Sequence, residues 1–179
     1  FDEGYFLTNG DSKLLTRGSS QGTGTAPLDT NTYTASTIGS KDYRQVFGHP
    51  AQFLHNGTYL YCESAIWDVE SQIINAKGNV RIVQDGTTLT SERSAYWIER
   101  DLAEFRGTLV QLEDEDGNLL RTHYLDYNTK DSVAIFTGGA SMKDKDGNII
   151  ESIDGRYDSK INTFEFSGNV NMFTDSVFI

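Results

Sequence analysis

Apolar and polar positions alternate along several short segments of the chain. In the first of these segments the apolar or small positions are Ile74, Ala76, Gly78, Val80 and Ile82. A period of two residues with one apolar face is typical of a half-buried β-strand. The equivalent positions in the later segments are Ala103, Phe105, Gly107 and Leu109; Ala134, Phe136, Gly138, Ala140 and Met142; and Phe164, Phe166, Gly168, Val170 and Met172.

These segments belong to a repeat of about 30 residues. An aromatic column consists of Trp67, Trp97, Tyr127 and Tyr157, at intervals of 30 residues. A glycine column consists of Gly48, Gly78, Gly107, Gly138 and Gly168, at intervals of 30, 29, 31 and 30 residues. We interpret each glycine inside an alternating segment as a bend or a close backbone approach.

Each repeat also contains a turn signal, an Asn-Gly or Asp-Gly pair whose glycine is Gly57, Gly86, Gly117 or Gly147. Such pairs favour the type I′ hairpin turn, because both of its central residues have positive φ. The sequence therefore predicts two antiparallel strands per repeat, near 57–67, 73–84, 88–98, 102–113, 119–127, 133–143, 149–157 and 163–174. We predict an all-β fold: a repeat-built antiparallel β-jelly-roll or half-pipe.

The first 40 residues differ from the rest, because 19 of them are Gly, Ser or Thr. Residues 5–8 and 14–16 flank Asn9-Gly10 and are candidates for one hairpin. We expect 1–40 to form an arm or cap and 41–179 to form the jelly-roll domain. In the strand near 57–67, the alternation slips between Cys62 and Trp67, which indicates a bulge.

Composition and charge exclude several functions. The formal net charge of −11 argues against binding to a nucleic acid backbone. No run of apolar residues is long enough for a transmembrane helix, and the single cysteine, Cys62, makes no internal disulfide. The three histidines lack metal-ligand spacing, and the acidic residues concentrate in turns. We expect no catalytic residues, no metal and no cofactor.

The motifs resemble a known family. Gly78-Asn79-Val80 and Gly168-Asn169-Val170 each lie in an alternating strand, and Thr88–Ser91 follow the Asp85-Gly86 turn. Together with the aromatic at the strand end, this pattern resembles the OstA-like domain of the lipopolysaccharide-transport periplasmic proteins, found in LptA and at the N-terminus of LptD. The central repeats depart from it, with Gly107-Thr108-Leu109 and Gly138-Gly139-Ala140.

The resemblance implies a non-enzymatic protein of the periplasm that holds lipopolysaccharide or other lipid acyl chains and docks end to end with similar domains through edge strands. The chain begins without a recognisable signal peptide, so export implies a trimmed form. On this interpretation an apolar β groove binds the lipid. Its candidate residues are Ile74, Val80, Ile82, Phe105, Leu109, Phe136, Met142, Phe164, Phe166, Val170 and Met172, with the aromatic column Trp67, Trp97, Tyr127 and Tyr157 as a ladder on the sheet or at the mouth of the groove.

Two interpretations of the apolar face remain open from the residues alone. The same positions fit a lipid-lined groove or an ordinary sealed core. A sealed core would make the protein a structural β-solenoid, an adhesion or scaffold module, since packing alone explains every column. An internal groove long enough for an acyl chain would contradict this alternative.

Overall fold

The computed structural model describes residues 4–6, 13–15, 32–38 and 41–174. It is built almost entirely of antiparallel strands, with one short 3₁₀ helix at Ile98–Arg100. The strands are β1 Gly4–Phe6, β2 Lys13–Leu15, β3 Thr32–Ile38, β4 Lys41–His55, β5 Thr58–Asp68, β6 Ile73–Gln84, β7 Thr87–Trp97, β8 Leu102–Glu113, β9 Leu119–Asn128, β10 Val133–Lys143, β11 Ile149–Ser152, β12 Asp154–Asp158, β13 Thr163–Ser167 and β14 Asn171–Phe173.

From β4 to β10 each strand pairs with the next along the chain. The last two predicted strands are each divided: β10 pairs with β11 along one part and with β12 along another, while β13 pairs with β12 and β14 with β11. The predicted strands otherwise match the observed bounds closely. The 15-residue strand β4, which pairs with β2, β3 and β5, was not predicted.

A line of irregularities crosses the sheet and bends every long strand. The register shifts between Tyr61 and Ser64 in β5 and between Lys77 and Val80 in β6, and the later long strands shift at the same level. At the β6 bend, Gly78 and Asn79 both have positive φ, 83° and 44°. A glycine and an asparagine tolerate this conformation best. The predicted bulge and the predicted glycine bend are both confirmed.

The bend divides the sheet into two layers that face each other across one core. We name each layer after a row of inward side chains that oppose one another across neighbouring strands. In the tyrosine layer the row is Trp67, Ile74, Tyr96, Ala103, Tyr127, Ala134, Tyr157 and Phe164. In the leucine layer the row is Phe53, Leu60, Ile82, Leu89, Leu112, Leu120, Met142, Ile150 and Met172. The all-β jelly-roll prediction is confirmed.

The four predicted turns are of two kinds. Asn56-Gly57 and Asp85-Gly86 have positive φ at both residues, as a type I′ turn requires. The turns at Gly117 and Gly147 are longer loops in which only the glycine has positive φ. In the later of these loops, the Asp144 carboxylate accepts backbone N–H groups from Asp146 and Asn148. The type I′ prediction is therefore wrong for these two loops.

Little of the proposed 1–40 segment lies within the described residues. β1 and β2 pair as an antiparallel hairpin, where the pattern around Asn9-Gly10 indicated one. β3 pairs with the first half of β4. The remainder of this segment and residues 175–179 lie outside the described part of the chain.

Candidate functional site

The interior between the two layers is tightly packed over most of its length. Large aromatic residues alternate with smaller ones along the tyrosine layer, so that the bulk of Tyr96 and Tyr127 faces space left by Ala103 and Ala134 in the strands beside them. The buried hydrophobic side chains from Val46 to Tyr157 are at most 5% exposed. A water molecule therefore has almost no access to this part of the interior.

The two layers are joined by hydrogen bonds along the rim opposite the bend. Gln84, at the end of β6, is 5% exposed and contacts the other layer with both ends of its amide. Its Oε1 accepts hydrogen bonds from Tyr127 Oη (2.6 Å) and Ser132 Oγ (3.0 Å). Its Nε2 donates to the Thr129 carbonyl (2.6 Å) and to Thr58 Oγ1 (2.8 Å). We call this arrangement, together with His55 and Tyr96, the polar seam.

His55 makes a second link in the polar seam. Its Nδ1 lies 2.6 Å from Tyr96 Oη, and its Nε2 lies 3.9 Å from a carboxylate oxygen of Asp101. Burial lowers the pKa of His55 from its ordinary value, and Asp101 opposes that shift only in part. Burial likewise raises the pKa values of Tyr96 and Tyr127. The seam is therefore built from neutral groups that hydrogen-bond in a dry environment.

Most of the predicted groove residues lie in the packed part of the interior. Ile74, Val80, Ile82, Phe105 and Phe136 are all completely buried, and Met142 is 5% exposed. Trp67, Tyr127 and Tyr157 of the aromatic column also face this core. These residues hold the two layers together.

The interior becomes accessible toward its C-terminal end. Phe164 and Phe166 are only partly buried, while Val170 is 49% and Met172 63% exposed. The rings of Phe164 and Phe166 stack at 6.0 Å with an interplanar angle of 7°, and Phe164 stacks on Tyr157 at 4.3 Å. We call Phe164, Phe166, Val170 and Met172 the C-terminal opening.

The strands at this end have one unpaired edge each. β13 pairs only with β12, and β14 only with β11, among the residues that the structure describes. Next to them Ile161 is 65% and Phe173 53% exposed. An unpaired edge presents backbone N–H and C=O groups to a further strand. Apolar surface and free hydrogen-bonding groups thus occur together at this end.

One groove candidate and one member of the aromatic column lie on the outer face. Leu109 is 47% exposed, and the inward position belongs to its neighbour Val110, because the β8 bend contains one residue more than the β6 bend. Trp97 is also displaced by one position: Tyr96 is the inward member of the row. Trp97 instead donates to Glu104 Oε1 (2.9 Å) and stacks beneath Arg100. The prediction that Leu109 faces inward is wrong, and so is the prediction that Trp97 shares one face of the sheet with the rest of the aromatic column.

Other important residues were missed. Tyr96 and Val110 had a usable signal, since the spacing of the repeat columns changes by one residue in the second repeat. Leu125 opposes Phe105 and Phe136 in the core without belonging to any column that the repeat made visible. Gln84 and His55 have no counterpart of the same chemistry in the other repeats, so no periodic signal could indicate the polar seam.

The described residues offer little reactive chemistry. The Cys62 thiol is buried, and burial raises its pKa to about 12. Within the described ranges no group of three His, Cys, Asp or Glu side chains is arranged to hold a metal ion. The same part of the chain contains no helix with the length and hydrophobicity of a membrane span. What the described residues provide is an apolar interior that is accessible at its C-terminal end.

Comparisons with known proteins agree with this architecture. A family model described as OstA-like protein matches residues 28–179. The structure is similar to the crystal structure of LptH from Pseudomonas aeruginosa, the LptA-homologous periplasmic component of the lipopolysaccharide transport device, with a TM-score of 0.60 and 14% sequence identity. The similarity covers 66% of this chain and 95% of LptH. No curated protein sequence matches the chain.

Proposed function

Because the chain belongs to the OstA-like protein family, we propose that it is a non-enzymatic periplasmic component of lipopolysaccharide transport. In this proposal residues 41–179 form the jelly-roll domain, which holds acyl chains at its C-terminal opening and docks there with a similar domain. The observation that carries the proposal is the contrast between an interior sealed as far as Tyr157 and an accessible end at Phe166 and Met172.

Acyl-chain binding is supported by the chemistry of the C-terminal opening. An acyl chain gains about 0.8 kcal/mol for each methylene removed from water, so a short apolar wall is enough for useful affinity. The stacked rings of Phe164 and Phe166 provide such a wall, and Phe136 lies 6.0 Å behind Phe166 at its inner end. Deeper binding requires the layers to separate, which the polar seam opposes.

Docking is supported by the unpaired edges of β13 and β14. We assign as occupant an edge strand of another OstA-like domain, because an added antiparallel strand would continue the sheet and cover Met172 and Phe173. Both edge strands are short, five and three residues, which limits uncontrolled pairing with other chains. Backbone pairing alone would bury little apolar surface. The exposed apolar side chains Met172 and Phe173 would add that burial when a further strand pairs here.

Site-specific photo-crosslinking tests the lipid part of the proposal. A photoreactive phenylalanine analogue is placed at Phe166, and the protein is incubated with lipopolysaccharide and irradiated. The matched control carries the analogue at Ile135, which is 44% exposed on the outer face of the same layer. We expect a lipopolysaccharide adduct from position 166 and none from 135. Equal adducts from both positions, or none from either, would contradict lipid binding at the opening.

Sedimentation velocity over a wide concentration range tests docking. We expect reversible self-association that Met172→Asp abolishes, because a charge placed in the covered surface opposes its burial. Ile135→Asp serves as the control and should associate as the wild type does. A strict monomer, or equal association by both variants, would rule out the opening as a docking surface between copies.

The alternative function is a structural scaffold module with a sealed core. The observation that favours it is the near-complete burial of the groove candidates from Ile74 to Met142, with the exception of Leu109. The same crosslinking experiment separates the two functions, since a scaffold module predicts no lipid adduct at position 166 in a fully folded protein. In this alternative, the polar seam serves only to stabilise the fold.

A further inference from the structure

A row of three cations crosses the outer face of the tyrosine layer. Lys77 of β6 opposes Arg93 of β7, and Arg93 opposes Arg106 of β8, so the three side chains lie side by side on neighbouring strands. The protein has only 15 basic residues against 26 acidic ones. On so acidic a chain, random placement would favour a carboxylate beside each cation. In this row, three cations lie next to one another instead.

The row borders a pocket of about 510 Å³ on that outer face. Small side chains in its middle, Ser64 and Ala95 among them, leave space between larger residues on either side. Phe47 and Ile66, 45% and 43% exposed, form an apolar wall at one side. A volume of this size suits a small molecule, for which typical sites measure about 300–1,000 Å³.

Two of the three cations keep their charge available. Arg106 is neutralised, because its Nη1 lies 2.8 Å from Asp126 Oδ1 and its Nη2 lies 3.7 Å from Glu104 Oε2. Glu104 in turn accepts the indole N–H of Trp97. Lys77 and Arg93 form no ion pair with any residue in the described part of the chain, and both are exposed at the pocket.

The arrangement has a cost for the fold. Like charges directly opposite each other on antiparallel strands are destabilising, whereas opposite charges there stabilise by about 0.2–1 kcal/mol. Neither Lys77 nor Arg93 recovers this through a carboxylate, and an exposed side chain adds little packing. A bound anion would remove the repulsion, since both cations would then face an opposite charge.

We propose that this outer pocket binds an anionic amphiphile, with the anionic group between Lys77 and Arg93 and the apolar part against Phe47 and Ile66. The aliphatic stem of Lys77 and the floor at Ala95 leave an apolar path between the two ends of the pocket. The pocket lies on the face opposite the core, so it is independent of the lipid site in the proposed function. The net charge of −11 disfavours anion binding over most of the remaining surface.

Isothermal titration calorimetry with dodecyl phosphate, below its critical micelle concentration, tests the inference. The double variant Lys77→Gln/Arg93→Gln is expected to weaken binding about tenfold or more, because two charge-assisted contacts are lost. The matched control Arg81→Gln/Lys130→Gln removes the same charge from exposed positions outside this pocket and should bind as the wild type does. Equal weakening in both variants would mean a general charge effect and would overturn the site.

Two further measurements test the proposal. The first distinguishes an amphiphile from free phosphate, and the second distinguishes ligand binding from a structural role of the cations. Ile66→Ser should weaken the binding of dodecyl phosphate, whereas inorganic phosphate should bind this variant and the wild type equally weakly. If inorganic phosphate binds the wild type as tightly as dodecyl phosphate does, the site does not recognise an amphiphile. The thermal midpoint of Lys77→Gln/Arg93→Gln should equal or exceed that of the wild type. A clear decrease would show that the cations stabilise the fold, which contradicts their assignment to a ligand.

Discussion

The Tyr127 hydroxyl donates a 2.6 Å hydrogen bond to Gln84 Oε1, joining two residues that lie 43 positions apart. Gln84 ends the leucine-layer half of β6, and Tyr127 lies near the end of β9 in the tyrosine layer. The same amide oxygen also accepts from Ser132. This hydrogen bond joins the two layers at the rim of the jelly roll opposite the bend. A purely apolar contact there would leave polar groups at the strand ends without hydrogen-bond partners.

Replacing Gln84 should therefore destabilise the fold strongly. Gln84→Ala leaves the Tyr127 hydroxyl and the Thr129 carbonyl without their buried partner, and each unsatisfied group costs about 1–3 kcal/mol, so we expect a loss of about 3 kcal/mol. Urea unfolding followed by circular dichroism gives the free energy of unfolding. Gln111→Ala, on the outer face of β8, is the control and should change it by less than about 0.5 kcal/mol. Equal losses for both variants would refute a special role of the seam.

The neighbours Tyr96 and Trp97 should respond very differently to truncation. Tyr96 is 1% exposed and contacts His55 edge-on, with the ring centroids 5.5 Å apart, so Tyr96→Ala should cost about 3–5 kcal/mol. Trp97→Ala loses a partly exposed ring, one hydrogen bond to Glu104 and the contact with Arg100, which together are worth about 1–2 kcal/mol. Chemical denaturation of the two variants measures the difference. A larger loss of stability for Trp97→Ala than for Tyr96→Ala would mean that Trp97, as the sequence predicted, belongs to the aromatic column.

Gly155 lies directly beneath the Phe136 ring, so a methyl group there should be poorly tolerated. An added Cβ would overlap Phe136 and would come within 2.6 Å of the Glu165 carbonyl oxygen. We expect Gly155→Ala to cost about 1–3 kcal/mol, as other overpacked positions do. Gly107→Ala is the control, because the nearest atom to its Cβ is 4.0 Å away and its φ is not positive.

A second variant tests the cause of that loss. Phe136→Leu removes the ring that Gly155 accommodates, so Gly155→Ala should cost less in the Phe136→Leu background than in the wild type. A double-mutant cycle of unfolding free energies measures this coupling. Additive losses would mean that the Phe136 ring is not what excludes a side chain at position 155.

Stability should fall when the pH decreases below about 6.5, the ordinary pKa of histidine. The folded state lowers the pKa of His55, so the unfolded chain binds a proton that the folded protein does not. Stability therefore rises with pH between the lowered folded pKa and 6.5. Thermal unfolding from pH 7.5 to pH 5.5 measures the effect. His55→Gln should reduce the dependence, and an unchanged dependence in this variant would contradict the role of His55.

The strands, hairpin positions and bend positions could be predicted from the sequence because they depend on local rules. Alternation with a period of two identifies a strand, and glycine marks the places where the backbone needs positive φ or a close approach. Repetition reinforced each signal, so that the β6, β8 and β10 segments supported one another. Local rules failed where one repeat gained a residue. A shift of one position then exchanged the faces of Leu109 and Val110 and of Trp97 and Tyr96.

Only the tertiary structure determines which residues meet across strands and layers. The bond between Gln84 and Tyr127 forms because the bend brings two strand ends together, and no periodicity connects these residues. The adjacency of Lys77 and Arg93 depends on cross-strand register, which the bulges set. The difference between a sealed interior and an accessible end is likewise a property of stacking. Equivalent side chains of the repeat are buried where both neighbouring strands are present, and they are exposed, as Met172 is, where one neighbour is missing among the described residues.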